Sequence, residues 1–310
     1  PIGSRGLGDV YKRQINILQI NLFYKMLKLQ KGFQWMLIAT FFFSIMGATV
    51  KLGSINFSAA ELVFYRSAIS LVFIFFLMKI NKVAFQTNYL ILHMKRSLVG
   101  FVSLLLFFYA ISHLPLSTAV SLNYTSPLFV GILMPIILNR KLNYKIYSMV
   151  FVGFIGVFLI LKPTFSSEII YAGIVGVFSG LGAAIAYLYV TQLGQLKEPE
   201  LRTVFYFTLV SSICSAFLLL GQEIHTPSLS NLKVLLYLGA SATIAQIAIT
   251  RAYRVGNTLG NASLSYLTII FSALIGVTLF KETLDFLTIV GIFLIIASGI
   301  FVSVKHSRLK

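Results

Sequence analysis

A few polar residues stand inside otherwise apolar stretches, and their types are those that hold a charged or strongly polar solute. Arg66, in "AELVFYRSAIS" (Ala60–Ser70), offers a planar fork of N–H donors that suits a carboxylate or a phosphate. Asn123 and Tyr124 lie at the centre of "LSTAVSLNYTSPLF" (Leu116–Phe129). An Asn amide among apolar neighbours needs a partner or a wet cavity. Pro127 has no N–H to give the Asn123 carbonyl, which leaves that carbonyl free for a ligand, a water or a neighbouring helix. Ser265 and Tyr266 echo the Asn-Tyr pair later in the chain, and Gln246 and Tyr109 complete the set expected to bind a solute.

Each of these residues has a plainer reading beside the functional one. Arg66 could pair with Glu61 or cap carbonyls, although a spacing of five is poor for a same-face pair. Asn123 and Gln246 could be interhelical glue, and Tyr109 an interfacial aromatic. Tyr187 and Tyr189 are weaker candidates. Trp35 opens its apolar run and reads as an interfacial anchor before a stacking platform.

Catalytic chemistries fit less well. The carboxylates are Asp9, Glu61, Glu168, Glu198, Glu200, Glu223, Glu282 and Asp285, and none is expected mid-run. That argues against a paired-aspartate protease and against a proton relay through a deep acid. His93, His113, His225 and His306 fall at or beyond run ends, so no Ser–His pair is expected inside one. No spacing suggests a metal site, and Cys214 stands alone, so no disulfide framework exists. Neither an enzyme nor a cofactor is expected.

The elements that must position these residues are membrane spans. The 310 residues are 58% hydrophobic and 11% charged, with a mean hydropathy of +0.90, against about 25% charged for soluble domains. Ten runs are long enough to cross a bilayer as helices, at 35–52, 59–79, 96–112, 116–138, 146–162, 170–192, 203–221, 233–251, 258–280 and 286–304. They are continuous, without the alternation of barrel strands. The net charge of +17 sits in the gaps between runs, which points to membrane orientation and not to nucleic acid. With the N-terminus inside, the cytoplasmic gaps hold seventeen Lys and Arg, Arg96 among them, against Lys51, Lys162, Lys233 and Lys281 on the other face. Both termini are therefore expected in the cytoplasm. "SRGLGDVYKRQ" (Ser4–Gln14) resembles translated adapter sequence, and Met26 is the expected start.

The chain also repeats itself. A shift of 142 residues lays "SLNYTSPLFVGIL" (Ser121–Leu133) over "SLSYLTIIFSALI" (Ser263–Ile275), with Ser121, Leu122, Tyr124 and Phe129 matching Ser263, Leu264, Tyr266 and Phe271. Each repeat holds five spans. Five is odd, so the second repeat crosses in the opposite sense, and a solute site is expected near the midplane between the repeats. The expected organisation is a non-native or cytoplasmic segment at 1–34, repeats at 35–163 and 170–304, and a cytoplasmic tail at 305–310.

"FYAISHLPLSTAVSLNYTSPLFVGILMPIILNRKL" (Phe108–Leu142), "GNASLSYLTIIFSALIGVTLFKETLDFLTIVGIFLIIASGI" (Gly260–Ile300) and the arginine of the second span resemble the drug/metabolite transporter superfamily, EamA type. The usual "GE" after the fourth span reads Asn139-Arg140 here, whereas the second repeat keeps Lys281-Glu282, a helix-end structural feature. The resemblance implies an all-α polytopic permease of ten helices in two inverted five-helix repeats, in a bacterial inner membrane. The expected cargo is a small polar metabolite, such as an amino acid or an S-adenosylmethionine-like compound, moved by alternating access. An arginine with Asn and Tyr and no deep acid favours an anionic or zwitterionic solute. The alternative is a non-transporting scaffold or lipid-flipping component. Expected partners are the small-molecule substrate and the lipid bilayer, with no nucleic acid, and a homodimer is left open.

Overall fold

The computed structural model describes residues 32–138, 144–161, 167–222, 224–256 and 258–307. The adapter-like stretch, Met26, Asn139-Arg140 and the last three residues lie outside them. The described chain is helical throughout: α1 (Phe33–Gly53), α2 (Ala59–Ile80), α3 (Leu90–His113), α4 (Leu116–Asn123), α5 (Ser126–Leu138), α6 (Tyr144–Leu161), α7 (Ser167–Gln195), α8 (Glu200–Leu219), α9 (Leu229–Val255), α10 (Thr258–Leu264), α11 (Leu267–Leu279) and α12 (Phe286–Ser307). α4 with α5 forms the fourth span and α10 with α11 the ninth, so the twelve segments make ten crossings. Eight are long and apolar enough to cross a membrane by length and composition, and the fifth and tenth hold shorter apolar helices. Side chains such as Phe76, Phe151, Phe158 and Phe217 point outward, as expected where the outer solvent is lipid.

The two repeats interlock as an inverted pair. α3 packs chiefly on α7, and its mirror contact sets α9 on α1. α2 packs on α8, and α6 on α12. Small residues permit the closest approaches. A Cβ on Gly156 would stand 2.7 Å from the Gly291 carbonyl oxygen, and one on Gly291 would stand 2.6 Å from that of Gly156.

Helix ends are tied across the repeats. Ser58 and Glu61 form a capping box at the start of α2, and Glu61 also accepts from the His225 backbone N–H at 2.7 Å. Glu61 is thus committed to a helix end and not to Arg66. At the corner between α3 and α4, the Lys51 ammonium donates to the Ile111 and Leu114 carbonyls at 3.0 and 2.6 Å. Glu282 accepts from the Leu116 N–H and from the Ser117 hydroxyl at 2.9 Å, which caps the start of α4 with a carboxylate. The helix-end role expected for Glu282 holds, and the end it serves belongs to the other repeat. Lys281 makes this reach by adopting φ +54 just after α11, a left-handed turn common at helix ends.

One expectation is corrected. The third span does not start at residue 96 but at Leu90, because Leu90–Leu92 extend the helix ahead of the basic "HMKR". Arg96 is therefore no gap residue. It lies nearly two turns inside α3, is 2% exposed, and drops out of the cytoplasmic tally.

Candidate functional site

Both broken spans come apart at corresponding places, the second one residue earlier in the repeat register. In the fourth, the Thr125 N–H turns back to the Leu122 carbonyl, and the next helix restarts on Thr125. In the ninth, the Tyr266 N–H turns to Ser263, and Thr268 restarts on Ser265. The freed end of α4 is received by α7. A Cβ on Gly180 would stand 2.7 Å from the Asn123 carbonyl oxygen and 2.6 Å from Thr125 Oγ1, so only glycine leaves room there. The Asn123 amide donates to Ser179 Oγ at 2.8 Å. The Ser103 hydroxyl donates to the Ser179 carbonyl at 2.8 Å and ties α3 into the same seam.

A central cavity of about 60 Å³ opens at this point, room for a few water molecules. The end of α4 supplies Asn123 and Tyr124, α2 supplies Arg66, and α9 supplies Gln246. Four of the seven residues singled out in the sequence thus meet around one space. Tyr109 does not line it: its ring stacks on His113 at 4.0 Å, toward the end of α3. Ser265 and Tyr266 do not line it either. The Ser265 hydroxyl donates to the Ala262 carbonyl at 2.6 Å, and Tyr266 packs in the apolar core.

Three lining residues outside the expected set bear on its chemistry. Arg96 was expected in a cytoplasmic gap, Phe207 was not singled out, and Tyr187 ranked as a weaker candidate. The Arg96 guanidinium lies 3.8 Å over the Phe207 ring centre, and the Arg66 guanidinium lies 5.1 Å from the same centre. Gly100, one turn on from Arg96, makes the stack feasible, because a Cβ there would stand 3.0 Å from the ring and 3.1 Å from Arg96 Nη1. A readable signal existed for Arg96. Arg96, Gly100, Ser103 and Phe107 recur at helical spacing and all line the cavity. Tyr109 is off that stripe. Phe207 carried no signal among 28 phenylalanines.

The electrostatics are one-sided. Arg66 is 1% exposed, and its Nη2 donates to Gln246 Oε1 at 3.3 Å. Nε and Nη1 of both arginines have no hydrogen-bond partner among the described residues. Among the described residues, no carboxylate stands within ion-pair distance of either guanidinium. Buried cations so arranged are costly unless something anionic answers them. No group of His, Cys, Asp and Glu among the described residues could hold a metal ion.

Comparison with known proteins agrees with this architecture. The chain is 33% identical over 246 residues to the pseudopaline exporter CntI of Pseudomonas aeruginosa, covering 79% of this chain and 86% of that one. It is 27% identical over 284 residues to the S-adenosylmethionine uptake transporter of Rickettsia prowazekii, covering 89% and 94%. A solved crystal structure superimposes with a TM-score of 0.67 at 17% identity, covering 89% of this chain and 99% of that chain, a likeness of fold alone. The pattern of the EamA-like transporter family matches twice, over residues 30–162 and 169–304, and the chain belongs to that family.

Proposed function

We propose that this membrane transporter is a secondary permease of the bacterial inner membrane, with both termini in the cytoplasm, that moves a small polar metabolite bearing an anionic group. Amino acids and S-adenosylmethionine-like compounds are within this class. One observation carries the reading: Arg66, buried with unpartnered N–H donors and no acid beside it, faces a central cavity together with Asn123, Tyr124 and Gln246. An anionic group on the solute would supply the missing partner and favour binding in low dielectric. Relatives named as an exporter and as an uptake transporter support solute movement and leave its direction open. The placement of Arg66 and Asn123 at a cavity, and not against lipid, favours transport over a scaffold role.

About 60 Å³ is too little for any such metabolite. Binding therefore requires the helices around the cavity to part, which fits alternating access between inverted repeats. The test is a ligand-induced thermal shift on the purified chain with amino acids, S-adenosylmethionine, organic acids, sugars and cationic dyes. A ligand at 100 times its dissociation constant adds about 2.7 kcal/mol. The expected result is a shift with carboxylate-bearing solutes that is lost in Arg66→Gln. A shift confined to cationic dyes or sugars would reject the reading.

A further inference from the structure

We propose that the cavity is a two-anion site, whose solute carries one anionic group for Arg66 and a second for Arg96. The inference rests on the function proposed above and narrows its substrate class. Three observations carry it. Both guanidiniums line the same cavity, and Nε and Nη1 of each are buried without a partner. Both lie against one Phe207 ring, at 5.1 and 3.8 Å from its centre, so they are held within one small molecule's reach of each other. The other polar side chains at the cavity (Asn123, Tyr124, Tyr187, Gln246 and Ser103) are neutral as ordinarily protonated and cancel neither charge.

A single carboxylate bridging both guanidiniums would leave the closed site with one uncompensated positive charge, while a dianion brings it to neutrality. The Phe207 ring lies against both guanidiniums, and their Nε and Nη1 donors remain open to an anion while Arg66 Nη2 is held by Gln246. Arg96 is then the specificity-determining residue. It separates diacids from monoacids and from zwitterions, whose ammonium group would meet a second cation. A short dicarboxylate and a carboxylate with a phosphate share the required chemistry.

The experiment measures thermal unfolding of the purified full chain at constant ionic strength. The probes are succinate, glutarate and adipate, phosphoglycolate as the phosphate arm, and butyrate, glutaramate and methionine as single-carboxylate controls. Glutarate is expected to bind at least about tenfold more tightly than glutaramate in the unaltered chain. In Arg96→Gln that ratio falls to about one, while glutaramate still shifts the transition through Arg66. Should Arg96→Gln fail to fold, Arg96→Lys keeps the charge and loses the fork, and is expected to weaken glutarate several-fold with glutaramate unchanged. Methionine or glutaramate acting as strongly as glutarate would overturn the second anion and leave the anionic-solute reading standing. Shifts confined to sugars and cationic dyes, run alongside as neutral and cationic controls, would overturn both, and no shift with any diacid or with phosphoglycolate would overturn the two-anion site.

Discussion

The two helix breaks began as the same structure and now do different work. The first, at Asn123–Thr125, presents Asn123 and Tyr124 to the cavity and is held by Ser179 and Gly180 of α7. The second, at Ser265–Tyr266, does not line that cavity, and the hydroxyls of Tyr266 and Ser272 are buried there with no hydrogen-bond partner among the described residues. Pro127 accompanies the first break and no proline accompanies the second. The break is thus a property of how the repeat packs, and proline is not its cause. What separates the two is the neighbourhood: Tyr124 and Tyr266 both join the apolar core, and the first break also meets α7 and the paired arginines.

The comparison can be broken at three points. The largest effect is expected at Gly180. In Gly180→Val the side chain would collide with the Asn123 carbonyl and Thr125 Oγ1, and overpacking against backbone costs about 3 kcal/mol or more. Thermal unfolding in detergent would show this as a large loss of stability. Next comes the paired exchange Asn123→Ala and Ser265→Ala. Asn123→Ala is expected to lower solute affinity about tenfold, the order of one lost hydrogen bond in a desolvated site, and Ser265→Ala to leave it within about twofold, as read by the same binding assay. Equal losses would mean that both breaks touch the solute. The smallest effect is expected from Pro127→Ala. If packing sets the break, the substitution changes transport by less than about threefold, because the second repeat keeps its break without proline. A large loss there would return the break to proline's account.

The sequence carried much of this. Continuous apolar runs placed all ten crossings, since length and hydropathy are local quantities. The match of Tyr124 with Tyr266 predicted two equivalent positions, and both proved to be breaks. What it missed depended on tertiary context. Arg96 looked like a basic flank because hydropathy penalises any charge, while the stripe Arg96–Gly100–Ser103–Phe107 that lines the cavity asks for periodicity instead. Tyr266 looked like Tyr124 because identity at a position says nothing about which helices close around it. Phe207 became visible only once two guanidiniums were seen resting on its ring.

Glu282 has a consequence for how the chain is made. The start of α4 belongs to the first repeat, yet its backbone N–H groups are capped by a carboxylate at the end of the ninth span. During synthesis the start of α4 therefore waits for this cap until the ninth crossing has been delivered. The corner that leads into the site is completed by a turn delivered late, between the ninth and tenth crossings.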